Sequence, residues 1–333
     1  MTQGASIDGV LVQWGERLFY PPSRIVKPAT TPRLGTLARR QAAVIRRRIE
    51  ATVSRRAVQV MVKVTGGGRG MAAIAAHFRY ISKNGRLGIE DDRGIVREGK
   101  EALHDLVDQW RHSGSLIEEV GHRREAFNIL LSMPQGTDAQ IVRKAAREFA
   151  QAELQGHRYV MVLHEHQANP HVHLSVRAES MRGERLNPRK ADLHRWRETF
   201  AEKLRGWGIE AEATRQATRG ANRPVEPLWR VKAQQDGRLR QPRVGTKAGA
   251  PYQASRAGAM EAWLRIAQAL DGSELPADRQ LAAGISRFVR ESPFFREKME
   301  QRSREVGTAR SGRPDLEPTR TVAVQRPGPE IRR

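Results

Sequence analysis

RYVMVLHEHQANPHVHLSVRA, residues 158–178, sets two apolar stretches on either side of a short polar loop, and four of the chain's ten histidines fall within its centre, HEHQANPHVH (164–173). Residues 158–164 and 171–178 read as β-strands, and a connection as short as EHQANP requires that they pair antiparallel. Successive side chains of a strand face opposite ways, so His171 and His173 project together while Val172 and Leu174 face the core. His164 ends the first strand, and the hairpin brings it opposite the start of the second, within reach of the same point. A chance cluster seldom satisfies both strand parity and hairpin reach. Three neutral imidazoles around one point suit a divalent metal ion and leave coordination positions open, as in catalytic rather than closed structural sites. The other histidines, among them His104, His112 and His157, are scattered and need only surface roles.

The surrounding pattern predicts the rest of a compact unit over about 56–210. AVQVMVKV (57–64) alternates, with Val58, Val60, Val62 and Val64 on one face, and stops at Gly66-Gly67-Gly68. MAAIAAHFRYIS (71–82) predicts a helix with Ile74, Phe78 and Ile81 on its buried side and Tyr80 off that stripe. A helix over 101–110 precedes an apolar strand, REAFNILLSMP (124–134). Thr137 and Gln140 form a capping box for a helix to about Leu154, and Asn187-Pro188 starts another that ends at Gly206 and Gly208. The order strand, helix, helix, strand, helix, strand, strand, helix implies an α+β fold, a central antiparallel sheet flanked by helices.

Outside this unit the texture changes. Residues 1–55 read as a basic N-terminal extension, its first 33 residues a loose arm followed by a basic helix from Leu34 to about Val53. Residues 211–252 read as a basic linker, 253–307 as a small helical appendix, and 308–333 as a disordered tail.

The 333 residues carry 59 Lys and Arg against 37 Asp and Glu, a formal charge of +22. Solubility needs no such imbalance, and a polyanion such as nucleic acid is the partner it implies. The absence of cysteine excludes disulfides, thiolate zinc sites and cysteine nucleophiles. No apolar run of membrane-spanning length occurs, and the N-terminus lacks the basic-then-apolar order of a secretory signal, so a cytoplasmic protein without membrane insertion is expected. VTGGGRG lacks the Lys and Ser or Thr of a nucleotide-binding loop; its glycines turn the chain between strand and helix and leave Arg69 free to touch DNA.

The histidine hairpin, with Asn169-Pro170 in its loop, resembles the third motif of conjugative relaxases of the MobP class, which are HUH endonucleases. HFRYISKNG, with Tyr80, resembles their first motif, and ILLSMPQG, with Ser132, their second. The resemblance covers about residues 56–210. It implies that Tyr80 is a nucleophile toward a scissile phosphate, giving a 5′-phosphotyrosyl intermediate and a free 3′ hydroxyl, and that Ser132 positions substrate. It implies a divalent ion, Mg2+ or Mn2+, on His164, His171 and His173, and single-stranded DNA at a transfer origin as substrate. Relaxosome accessory proteins and a secretion-system coupling protein are the implied partners. Ser132, Arg69 and Asn169 are the candidate DNA contacts.

Two departures stand out. Many relaxases of this class have an aspartate two residues after the first histidine, where this chain has His166 beside Glu165; either of these, or a metal-bound hydroxide, is a candidate base. Tyr80 also lies farther from the N-terminus than is usual. Tyr20, Tyr159 and Tyr252 are the competing tyrosines. Two other readings stand beside a nicking-joining enzyme: a non-enzymatic basic nucleic-acid-binding accessory protein with a vestigial metal site, and a metal phosphodiesterase using water. His173-Leu174-Ser175 fits the His-x-Ser element of two-histidine phosphoesterases, but no second copy is found.

Overall fold

The computed structural model describes residues 6–20, 36–221, 233, 236–238 and 249–311. Most of the expected linker and tail therefore lies outside the described residues. Two layers of helices enclose a six-stranded, wholly antiparallel sheet in the order β2-β5-β7-β6-β3-β4, confirming the α+β class. The strands are β2 (Met61–Gly66), β3 (Ile89–Asp91), β4 (Val96–Arg97), β5 (Ala126–Ser132), β6 (Tyr159–His164) and β7 (His171–Arg177). A two-residue β1 (Val58–Gln59) runs parallel to β8 (Ala211–Glu212) beside it.

Strand parity decides what each face carries. Val172, Leu174 and Val176 of β7 join Ile129 and Leu131 of β5 in a core against α5 (Ala139–Glu153) and α6 (Lys190–Gly206), around Phe149, Trp196 and Phe200. The opposite face, with Val160 and Val162, packs Ile74, Phe78 and Ile81 of α3 (Met71–Ile81) and Leu103, Leu106 and Trp110 of α4 (Lys100–His112). Burying each such side chain contributes about 1.5–3 kcal/mol. The alternation expected from Val58 begins only at Val60, because β1 breaks away to pair with β8 and leaves Val58 exposed.

A second core joins both ends of the chain. The helices α1 (Ile7–Phe19), α2 (Thr36–Val53), α7 (Ala250–Asp271) and α8 (Pro276–Glu291) bury Leu11, Leu18, Ile45, Ile49, Trp263, Ile266 and Ile285 together, and α9 (Pro293–Ser311) follows. The loose arm expected over the first 33 residues is thus corrected at 7–19. Ser6 caps α1 by accepting from the Gly9 amide at 3.1 Å. Gly15 is a contact point: a Cβ there would collide with the Ile45 side chain. Arg48, 8% exposed, ties this helical unit to the sheet unit through Glu198 at 2.7 Å and Glu212 at 3.6 Å.

Two further local readings change. Asp138, not Thr137, caps α5, accepting from the amides of Gln140 and Ile141, while the Thr137 hydroxyl donates to the Pro134 carbonyl. The β3–β4 hairpin, too short and too charged to alternate visibly, closes around Asp91, which accepts from the Arg93 and Ile95 amides. Among the described residues no helix is long and apolar enough to cross a membrane.

Candidate active site

The β6–β7 register pairs His164 with His171 and Val162 with His173, so the three imidazoles share the sheet face that α3 covers. One ligating atom from each lies within 4.8 Å of the others, and the ring centroids stand 4.6, 5.0 and 5.1 Å apart. Two backbone carbonyls fix the tautomers. His164 donates from Nε2 to the Ile81 carbonyl at 2.6 Å, and His171 from Nδ1 to the Asn169 carbonyl at 2.9 Å. Nδ1 of His164 and Nε2 of His171 keep their lone pairs, an outer arrangement common among metal-binding histidines.

Electrostatics favour the same use. Burial pushes His173 down to about 3, with positive charge on His164, His171 and His77 adding to the effect. His164 is lowered as well, chiefly by burial and against the pull of the Ile81 carbonyl. Neutral imidazole is the metal-binding form. Three such nitrogens, two of them oriented by carbonyls, fit a divalent cation with open positions.

The bond from His164 ends on the residue after Tyr80, so it fastens the end of α3 to the triad. Tyr80 itself is 71% exposed. Its ring meets that of His173 edge-on, with centroids 6.4 Å apart and planes at 82°. The competing tyrosines are engaged elsewhere. Tyr159 is 4% exposed in the sheet, its phenol pushed up to about 12, first by burial and then by the charges of Asp92 and Glu90. Tyr20 packs on the helical core, and Tyr252 lies on α7, 4.3 Å beneath the Arg256 guanidinium.

An open cavity of about 840 Å³ lies between the end of α3 and the hairpin, lined by Tyr80, the triad, His166 and three cations, Arg79, Lys83 and Arg86. Among the described residues none of these three cations has an ion pair or side-chain hydrogen bond. Elsewhere arginines are commonly committed: Arg147 to Glu90, Arg195 to Glu153 and Asp192, Arg185 to Glu125 and Glu179. Lys83 and Asn84 take left-handed backbone angles (φ 50° and 59°) as the chain turns out of α3, which costs an L-residue about 1–2 kcal/mol and sets both at the cavity. A basic rim around three imidazoles that could hold a metal ion has the charge that suits a phosphodiester backbone.

The remaining residues named from sequence divide. Ser132 pairs with His171 across the β5–β7 ladder and so stands beside it on the same face, 5% exposed. The structure puts His166 at the triad, its ring 5.2 Å from that of His164. Glu165 turns the other way, toward Gln140 at 3.4 Å, and lines a separate cavity with Glu90 and Arg143. Asn169 is exposed at the loop, with its carbonyl on His171. Arg69 is not at the triad; it lines another groove with His122, Arg124 and Phe127, toward the opposite end of β5 from Ser132.

His77, Arg79, Lys83 and Arg86 stand at the site without being among the candidates named from sequence. The signal was present in HFRYISKNGR (77–86): His77 stands three residues before Tyr80, one turn away on the same helix face, and the cations follow as the helix ends. His77 is lowered by burial.

Residues 80–209 match the family model described as Relaxase, MobA/VirD2-like, nuclease domain. The span opens on Tyr80 and contains the whole hairpin. No curated protein matches the chain.

Proposed function

We propose, from the match of residues 80–209 to the MobA/VirD2-like relaxase nuclease domain, that this chain binds single-stranded DNA and nicks it in mobilisation, and that Tyr80 cuts the strand by transesterification beside a site where His164, His171 and His173 would hold a metal. The supporting observation is the juxtaposition of the exposed phenol and the triad: Tyr80 and His173 rings 6.4 Å apart at the rim of one basic cavity. In this reading Arg79, Lys83 and Arg86 hold the phosphodiester backbone, and Ser132 orients the strand beside His171. His164, His171 and His173 would hold a divalent ion, Mg2+ or Mn2+, which would supply Lewis acidity toward the scissile phosphate.

The Tyr80 oxygen forms a bond to phosphorus while the bond from phosphorus to the 3′ oxygen breaks. The phenol loses its proton to a base in the cavity, for which His166 is better placed than Glu165, and the departing 3′ oxygen gains one. The product is a 5′-phosphotyrosine and a free 3′ hydroxyl. Because the phosphodiester's energy is retained in the new ester, the reverse attack rejoins the strand. Accessory proteins at a transfer origin and a secretion-system coupling protein belong to the same proposal, as does a cytoplasmic place of action.

The test is incubation with a single-stranded transfer-origin oligonucleotide and Mg2+ or Mn2+, followed by denaturing electrophoresis. A covalent protein–DNA adduct is expected, lost in Tyr80→Phe and kept in Tyr159→Phe. Cleavage without adduct would replace tyrosine by water as nucleophile, and binding without cleavage would reduce the chain to a nucleic-acid-binding accessory protein.

A further inference from the structure

His77 takes no part in the triad, yet it stands between the triad and Tyr80. Its ring stacks on that of Tyr80 (centroids 6.2 Å, planes at 28°) and meets His173 edge-on (6.3 Å, 75°). Its Nε2 is buried and has no hydrogen-bond partner among the described residues. Buried polar atoms are rarely left so, and the contacts that mark His77 are with the rings of Tyr80 and His173. Tyr80, for its part, is 71% exposed, and no side-chain hydrogen bond of its own holds it among the described residues. A phenol in that position turns among its rotamers in picoseconds to nanoseconds unless a neighbour restricts it. Among the described residues the aromatic rings it meets are those of His77 and His173.

We infer that His77 is a positioning residue: its ring is the wall against which the Tyr80 phenol stacks, so that the hydroxyl is held at the triad instead of sweeping through solvent. The inference deepens the reading of Tyr80 as nucleophile and rests on it for its role in the reaction, although the placement of the ring is testable without any cleavage. What the ring supplies is an aromatic face, so another aromatic residue should serve and an aliphatic one should not. An aromatic pair contact corresponds to a factor of about two to ten in an equilibrium. The loss on removing His77 should fall in that range, and it should appear in the rate of attack and not in the affinity for DNA.

The experiment compares His77→Phe and His77→Leu with the wild-type full chain by two measurements. In the first, the tyrosines are replaced by 3-fluorotyrosine, the Tyr80 ¹⁹F resonance is identified by its loss in Tyr80→Phe, and Mn2+ alone is added. Paramagnetic broadening of that resonance is expected to be strong in wild type and His77→Phe and at least about threefold weaker in His77→Leu. In the second, adduct formation at saturating oligonucleotide is expected to fall about twofold to tenfold in His77→Leu and to be mostly restored in His77→Phe, with half-saturation unchanged in both. Equal broadening in all three proteins, or a His77→Phe as deficient as His77→Leu, would overturn the inference. If wild type forms no adduct while the broadening pattern holds, the nucleophile assignment fails and the placement of the ring stands. Should His77→Leu not fold, as judged by circular dichroism, His77→Met takes its place with the same expected outcomes.

Discussion

Neutralising Arg79, Lys83 and Arg86 is a direct way to ask whether DNA lies where the proposed function puts it. Arg79, Lys83 and Arg86 line the cavity around Tyr80 and the triad, and among the described residues none has an acidic partner to satisfy it first. Each phosphate they neutralise releases counterions, and on a single strand each contributes about 0.7 to the slope of log affinity against log salt. Arg79→Gln, Lys83→Gln and Arg86→Gln combined should therefore reduce the magnitude of that slope by about 2. Between 1 M and 0.1 M salt this amounts to about a hundredfold in affinity, or about 3 kcal/mol. Fluorescence anisotropy of a labelled single-stranded oligonucleotide, titrated from about 0.05 to 0.4 M NaCl, reads the slope. Arg185→Gln serves as the control, since Arg185 is already paired with Glu125 and Glu179 at 3.5 and 3.3 Å, and its slope should match wild type. Parallel lines for the triple variant and wild type would refute the placement of the strand.

Other consequences concern protonation and the joint between the two cores. His173 titrates at about 3 in the fold against 6.5 unperturbed, so its contribution to stability is whole above pH 6.5 and is lost as pH falls toward 3. For the metal-free protein this costs at most about 2 kcal/mol at pH 5; urea midpoints at pH 8 and pH 5 should show a larger drop in wild type than in His173→Gln, and equal drops would contradict it. Divalent metal at a hundred times its dissociation constant should add about 2.7 kcal/mol at pH 8, and His171→Ala should abolish that increment in a thermal melt. Arg48→Met leaves the buried carboxylate of Glu212, 7% exposed, with Arg205 at 3.7 Å as its remaining cation, and should destabilise the chain by about 3 kcal/mol in urea unfolding, the low end for a broken buried pair; a loss under 1 kcal/mol would mean that the joint does not depend on Arg48.

The hairpin was legible because its physics is local. Parity put His171 and His173 on one face, and loop length alone brought His164 opposite them, which the register bears out pair by pair. Exposure of Tyr80 followed from helical period in the same way. What escaped depended on distant partners. Nothing near Leu11 and Leu18 shows that their stripe finds Trp263 and Ile266 some 250 residues on, so a helix interrupted by glycines read as an arm. The strand pairs β1–β8 and β3–β4 are too short for alternation to register. His77 went unread because a lone helical histidine has no signature of its own; only its ring contacts with Tyr80 and His173 mark it. The separation of Glu165 from His166 likewise depends on α5, whose Gln140 draws Glu165 away from the triad.

The measurement closest to the centre of this account is to find where the DNA becomes attached. After reaction with a transfer-origin oligonucleotide, nuclease trimming and tryptic digestion, mass spectrometry should locate a nucleotide remnant on the four-residue peptide Tyr80–Lys83. The same modification on a peptide carrying Tyr20, Tyr159 or Tyr252, or efficient cleavage with every tyrosine unmodified, would contradict it.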